Sequence, residues 1–140
     1  MRYLGLDLGT RTLGIALSDV THTIASYYQT LRFLEGEEES TFSILKSIIE
    51  EYKIEKIILG FPKNMNNTVG DSGKRCLKFG KKLENRFNLP VVMQDERLTT
   101  VEATKYMVEA DMSRKKRKQK IDGLAANIIL QTYLDKEKGF

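Results

Sequence analysis

The 140 residues are 41% apolar and 30% charged, which suits a chain that buries its own core in one domain, 1–140, and excludes a disordered one. One cysteine, Cys76, excludes an internal disulfide and suits a reducing, cytoplasmic setting, while a lone histidine, His22, leaves almost no material for histidine metal sites or Ser-His-Asp chemistry. The formal charge of +4 has a location: Arg114, Lys115, Lys116, Arg117, Lys118 and Lys120 supply six of the 23 basic residues, leaving 17 against 19 acids elsewhere.

Met1 leads straight into an apolar alternation, so no secretory leader is expected, and no apolar run is long enough to span a bilayer. Leu4, Leu6 and Leu8 alternate with Tyr3, Gly5 and Asp7, the period of a strand. Asp7 therefore points away from the leucine side. Gly9 lets the chain turn into a second apolar strand, and Gly5 and Gly14 clear space beside the carboxylate for another backbone or a ligand. An acid in an apolar strand costs stability unless something compensates it. Capping of the turn through its own backbone is the plain alternative role for Asp7.

Residues 23–33 are rich in β-branched and aromatic side chains and predict a third strand. A helix is expected to begin in 35–40, with acids in its first turn and a stripe of Phe42, Leu45, Ile49 and Tyr52 facing a core. The run Ile57-Ile58-Leu59 within 54–61 fits a strand buried on both faces. Residues 62–71 are a loop, and Asp71 or Ser72 is placed to cap a helix over about 72–88 that buries Cys76, Phe79, Leu83 and Phe87. A fifth strand, 91–96, ends on two acids. Thr99 with Glu102 is a capping-box pattern that predicts a helix over about 100–110. The basic run follows, seven hydrophilic residues expected to be mobile without a nucleic acid. A final helix is expected over about 122–136, apolar on most sides. Three strands in a meander followed by alternating helix and strand predict an α/β fold: a mixed five-stranded sheet, an antiparallel three-strand meander plus two parallel strands, flanked by helices.

This topology can gather acids at one sheet edge. Asp7 lies on the first strand, Asp95 and Glu96 end the fifth, and Asp122 opens the last helix. Sites in open α/β sheets lie beyond the carboxyl ends of parallel strands. Crowded carboxylates repel, and a divalent cation with oxygen ligands, Mg²⁺ or Mn²⁺, relieves that repulsion. A pair of such ions can activate water and stabilise the leaving oxygen of a phosphodiester. Each acid also has a plainer role open to it, Asp122 as an N-cap and Asp95-Glu96-Arg97 as an exposed strand end with a weak ion pair. The basic run beside Asp122 suits a phosphate backbone, with Lys63, Asn64 and Arg97 as weaker contacts along the same edge.

Four groups of residues resemble one family. They are Gly5-Leu-Asp7-Leu-Gly9-Thr with Gly14-Ile-Ala16; Gly60-Phe-Pro62 with Asn64-Met65; Asp95-Glu96-Arg97-Leu98-Thr99-Thr100; and Asp122-Gly-Leu-Ala125-Ala126 with Ile129-Leu130-Gln131. Together, and in this order, they resemble the YqgF or RuvX family, bacterial proteins of RNase H-like fold related to Holliday-junction resolvases and regarded as candidate pre-16S rRNA nucleases. Asn66-Asn67 departs from the acidic-glycine turn common in relatives. The resemblance implies a metal-dependent nuclease that processes the 5′ end of precursor 16S rRNA in ribosome biogenesis, with Asp7, Glu96 and Asp122 as catalytic and metal-holding acids and Asp95 as the alternative to Glu96. Precursor rRNA is the implied partner, with ribosomal particles beyond it; a homodimer is compatible with the sequence, and a membrane is not expected. Three other functions stay open: a resolvase-like nuclease on branched DNA, a non-catalytic RNA-binding module working through the basic run, and an actin-like nucleotide binder, for which 140 residues leave no room for the second domain.

Overall fold

The computed structural model describes residues 1–62, 70–95 and 114–139, with side chains described over the same ranges except 114–123. In chain order the elements are β1 (Arg2–Leu8), β2 (Thr12–Ser18), β3 (Ala25–Arg32), a 3-10 turn (Glu38–Thr41) running into α1 (Phe42–Tyr52), β4 (Ile54–Phe61), α2 (Asp71–Phe87), β5 (Val91–Asp95) and α3 (Arg114–Glu137). The five strands form one sheet in the order β3-β2-β1-β4-β5. β1 pairs antiparallel with β2, and β2 with β3, whereas β4 lies parallel to both β1 and β5. The mixed sheet expected from the sequence is the one observed.

Strand alternation divides the apolar residues between two cores. Leu4, Leu6, Leu8, Leu13, Ile15, Ile57 and Leu59 join Phe42 and Leu45 of α1 and Cys76, Phe79 and Leu83 of α2 on one face. On the other face Tyr3, Ala16, Ala25 and Ile58 meet Ala126, Ile129, Leu130 and Leu134 of α3. Cys76 is therefore core filler, free and buried. Among the described residues no helix is long and apolar enough to cross a membrane.

Three boundaries differ from expectation. The segment before α1 makes a short 3-10 turn, so the α-helix starts at Phe42, later than its acids suggested. The N-cap of α2 is Gly70 with no side-chain cap, and Asp71 instead sits in the first turn, where the helix dipole favours an acid. The third difference concerns the basic run, which is helical and opens α3, so that the last helix begins earlier than the expected 122. Arg, Lys and Gln are strong helix formers and continue without a breaker into the apolar stripe. Asp122 is consequently inside a helix and does not serve as its N-cap. The expected helix over 100–110 lies outside the described residues.

Candidate active site

β1, β4 and β5 run parallel, so their carboxyl ends, Leu8, Phe61 and Asp95, finish at one edge of the sheet. Asp7 is the next-to-last residue of β1 and is paired with Gly14 of β2. Its face is set by its neighbours. Leu6 and Leu8 are buried against α1 and α2, and Gly5 lies under α3. A Cβ at Gly5 would stand 2.7 Å from Leu130 Cβ and 3.3 Å from the Ala126 carbonyl oxygen. The missing side chain is what lets α3 rest directly on the strand.

The contacts along α3 fix its direction. The Tyr3 hydroxyl donates to Glu137 Oε1 at 3.0 Å and the Tyr3 ring meets Tyr133, while Gly5 meets Leu130 and Ala126. As β1 rises from Tyr3 to Asp7, α3 is therefore met in descending number. One helical turn before Ala126 is Asp122, a step of about 6 Å. Two strand residues beyond Gly5 is Asp7, a step of about 7 Å. By backbone position the two acids stand level at the sheet edge.

Asp95 is on the wrong side of the sheet for this pair. It is paired with Phe61, and Phe61 and Met93 both belong to the core beneath α1 and α2. Gln94, paired with Gly60, has the alternate facing and is buried. Glu96, Arg97, Lys63 and Asn64 lie outside the described residues, as do the side chains of Asp122 and of Arg114, Lys115, Lys116, Arg117, Lys118 and Lys120. Among the described residues no three His, Cys, Asp or Glu side chains gather to hold a metal ion.

The turn after Asp7 is held from two sides. Gly9 N–H donates to the Thr12 carbonyl at 2.7 Å, and a Cβ at Gly9 would lie 2.7 Å from Thr12 Oγ1. Arg75 of α2 donates to the Gly9 carbonyl at 2.7 Å through one terminal nitrogen and to Glu38 Oε1 at 2.7 Å through Nε. Burial alone would raise the Glu38 carboxyl, but the hydrogen bond and charge of Arg75, a backbone hydrogen bond and the charge of Lys82 together hold it below its ordinary value. A cleft of about 330 Å³ lies here, lined by Thr10, Glu38, Asp71 and Arg75 among others. Gln131 takes a third positioning role. Its side-chain oxygen accepts from Ala25 N–H at 2.8 Å and its amide donates to the Thr23 carbonyl at 2.9 Å, fastening α3 to the edge strand. Sequence reasoning missed the role of Arg75, because nothing local links position 75 to positions 9 and 38. Gln131 did stand in one of the matched motifs, without a role.

A family model described as "RuvX: Holliday junction resolvase" matches residues 1–136. A Bacillus subtilis protein named "Putative pre-16S rRNA nuclease" is 53% identical over 135 residues, covering 96% of this chain and 98% of its own. A protein of the same name from Caldanaerobacter subterraneus is 48% identical over 139 residues, covering 99% of both chains. Among solved structures, Thermus thermophilus RuvC in complex with Holliday junction substrate superposes with a TM-score of 0.55 at 13% identity, covering 99% of this chain and 96% of that one, a likeness of fold. The resemblance drawn from the four motifs is borne out, and the chain belongs to the RuvX family.

Proposed function

We propose that this protein is a metal-dependent nuclease that hydrolyses phosphodiester bonds of precursor 16S rRNA near its 5′ end, acting as one domain in the cytoplasm. The observation that carries the proposal is the position of Asp7 on the α3 face of the sheet edge, level with the backbone of Asp122, through the close approach at Gly5. Asp95 lies on the face of the sheet opposite Asp7, so Glu96, the acid that the family resemblance implies, is proposed as the third of the set. An all-carboxylate set is hard and oxygen-only, which fits Mg²⁺ or Mn²⁺. Such an ion, when bound, supplies Lewis-acid activation of water and charge neutralisation at the phosphate. The chain's own contribution is to fix Asp7 in a paired strand, to hold the following turn through Arg75, and to offer cations for the phosphate backbone from the first turns of α3.

The substrate follows from the relatives' name and from the basic α3 terminus, which suits a phosphate backbone. RuvC, whose fold this chain shares, is seen in complex with a Holliday junction, which supports a second substrate, a branched DNA. The discriminating measurement is cleavage of precursor 16S rRNA against a four-way DNA junction in Mn²⁺, by the wild type and by Asp7→Asn. The wild type is expected to cut the RNA and the variant to cut neither. Cleavage by Asp7→Asn at the wild-type rate would remove the acid from the mechanism, and preferential cutting of the junction would transfer the proposal to DNA.

A further inference from the structure

α2 carries six basic side chains, Lys74, Arg75, Lys78, Lys81, Lys82 and Arg86, against two acids, Asp71 and Glu84. Two of the six are already satisfied, since Arg75 pairs with Glu38 at 2.7 Å and Lys82 with Glu39 at 2.7 Å. Lys74, Lys78 and Lys81 are exposed, and among the described residues no carboxylate stands within ion-pair distance of any of them. Their spacing of four and then three residues aligns them along one side of the helix over about 10 Å of axis.

This ladder does not serve the helix. Like charges one turn apart destabilise it, and a lysine in its first turn opposes the dipole. The arrangement instead suits an anionic partner that repeats along a line. The position of α2 says which one. The helix starts at the sheet edge that carries Asp7, and Arg75, the neighbour of Lys74, is bonded to the turn that follows Asp7. From there Lys78 and Lys81 step away from the edge on the face opposite α3.

We propose that Lys74, Lys78 and Lys81 form a second phosphate track, along which one strand of the RNA substrate runs after crossing the catalytic edge. The proposal rests on the nuclease function proposed above and adds a direction to it. The strand is gripped on one face by the start of α3 and on the other by α2, so the edge between them meets the scissile bond. Over about 10 Å the track offers two or three successive phosphates a cation each, given roughly 3.4 Å of rise per phosphate along one strand.

The test is the salt dependence of RNA binding by the full chain carrying Asp7→Asn, which prevents turnover, with and without Lys74→Gln, Lys78→Gln and Lys81→Gln. Gln keeps helix propensity and removes only charge. The triple change should make the slope of log affinity against log salt shallower by about two units, at roughly 0.7 to 0.9 per phosphate contact. An unchanged slope, with steep salt dependence in the parent, overturns the track while leaving the nuclease proposal standing, and would hand the patch to some other polyanion. Absence of salt-dependent RNA binding in the parent overturns both. A footprint on the Asp7→Asn chain with its lysines unchanged removes any dependence on how the triple variant folds. Bound RNA should protect Lys74, Lys78 and Lys81 from an amine-reactive reagent and leave Lys46 and Lys53, exposed on and just after α1, as reactive as before; equal labelling of all five would sink the proposal.

Discussion

Gly5 is where packing and chemistry meet, because the same missing side chain that seats α3 also brings position 122 alongside Asp7. An alanine there would place its Cβ 2.7 Å from Leu130 Cβ, a distance that forces the helix outward. Gly5→Ala should cost roughly 1–3 kcal/mol, the usual range for overpacking, and, if the proposed metal site is right, should also weaken Mn²⁺ binding by shifting α3 relative to Asp7. Thermal melting in EDTA and in Mn²⁺ reads both effects; a variant that melts like the wild type and keeps its full Mn²⁺ shift would show that α3 is not seated by this contact. Arg75 works at one remove, by holding the Gly9 carbonyl and Glu38 together. Arg75→Ala leaves two partly buried acceptors without their donor and should lower stability by about 1–2 kcal/mol, with amide exchange at Gly9 and Thr10 accelerating more than in β4. Uniform exchange across the sheet would deny it a local role. Asp19 shows what a turn-capping acid looks like in this fold. Its Oδ1 accepts Ile24 N–H at 2.9 Å and Thr23 N–H at 2.7 Å, and its Oδ2 accepts the Thr21 hydroxyl; these bonds, that from Ile24 first, hold the carboxyl far below its usual range.

α3 is held by side-chain contacts that its own sequence does not announce. At its carboxyl end the Lys56 ammonium donates to the Tyr133 hydroxyl at 2.8 Å and to Glu137 at 3.3 Å, and lies over the rings of Tyr3 and Tyr133. Burial alone would lower the Lys56 pKa, but its bonds to Tyr133 and Glu137 prevail and hold it well above the ordinary 10.5. Burial alone would likewise raise Glu137, but the hydrogen bonds from Tyr3 and Lys56 hold it below the ordinary 4.5. A depressed carboxyl contributes stability that is present above its unfolded pKa and lost as pH falls through the folded one. The wild type should therefore be more stable than Glu137→Gln at neutral pH, on the order of 1 kcal/mol after allowance for partial exposure, with the gap closing as pH drops below about 4.5; a gap independent of pH would exclude the carboxylate as its source. The mixed sheet, its antiparallel meander and parallel strands, and the facing of Asp7 are legible in the sequence because alternation in β1 and the apolar run in β4 are local signals. Tyr3, Lys56, Tyr133 and Glu137 give no such signal, since their partners are up to 134 residues apart. The start of α3 departs from expectation for a related reason: hydrophilicity argues for a loop, while the helix propensity of Arg, Lys and Gln, continuous with the stripe beyond, decides for helix.

For the whole molecule, charge is concentrated on α2 and on the opening turns of α3, which lie on opposite faces of the sheet that carries Asp7 at its edge. The described opening of α3 carries six cations with no acid in its first turn, and like charges one turn apart destabilise a helix. A bound polyanion offsets that cost, so this end of α3 should supply the larger part of the electrostatic affinity. Replacing Arg114, Lys115, Lys116 and Arg117 by Gln keeps helix-forming side chains and removes four charges. The slope of log affinity for RNA against log salt should become shallower by about two to three units, as expected for the loss of about three phosphate contacts at roughly 0.7 to 0.9 each. If the two basic surfaces grip separate stretches of one strand, combining these changes with those at Lys74, Lys78 and Lys81 should add their slope losses, since distant contacts release their counterions independently. A combined loss no larger than that of the α3 changes alone would mean that RNA touches only the α3 side, and the strand would then have to leave the edge without crossing to α2.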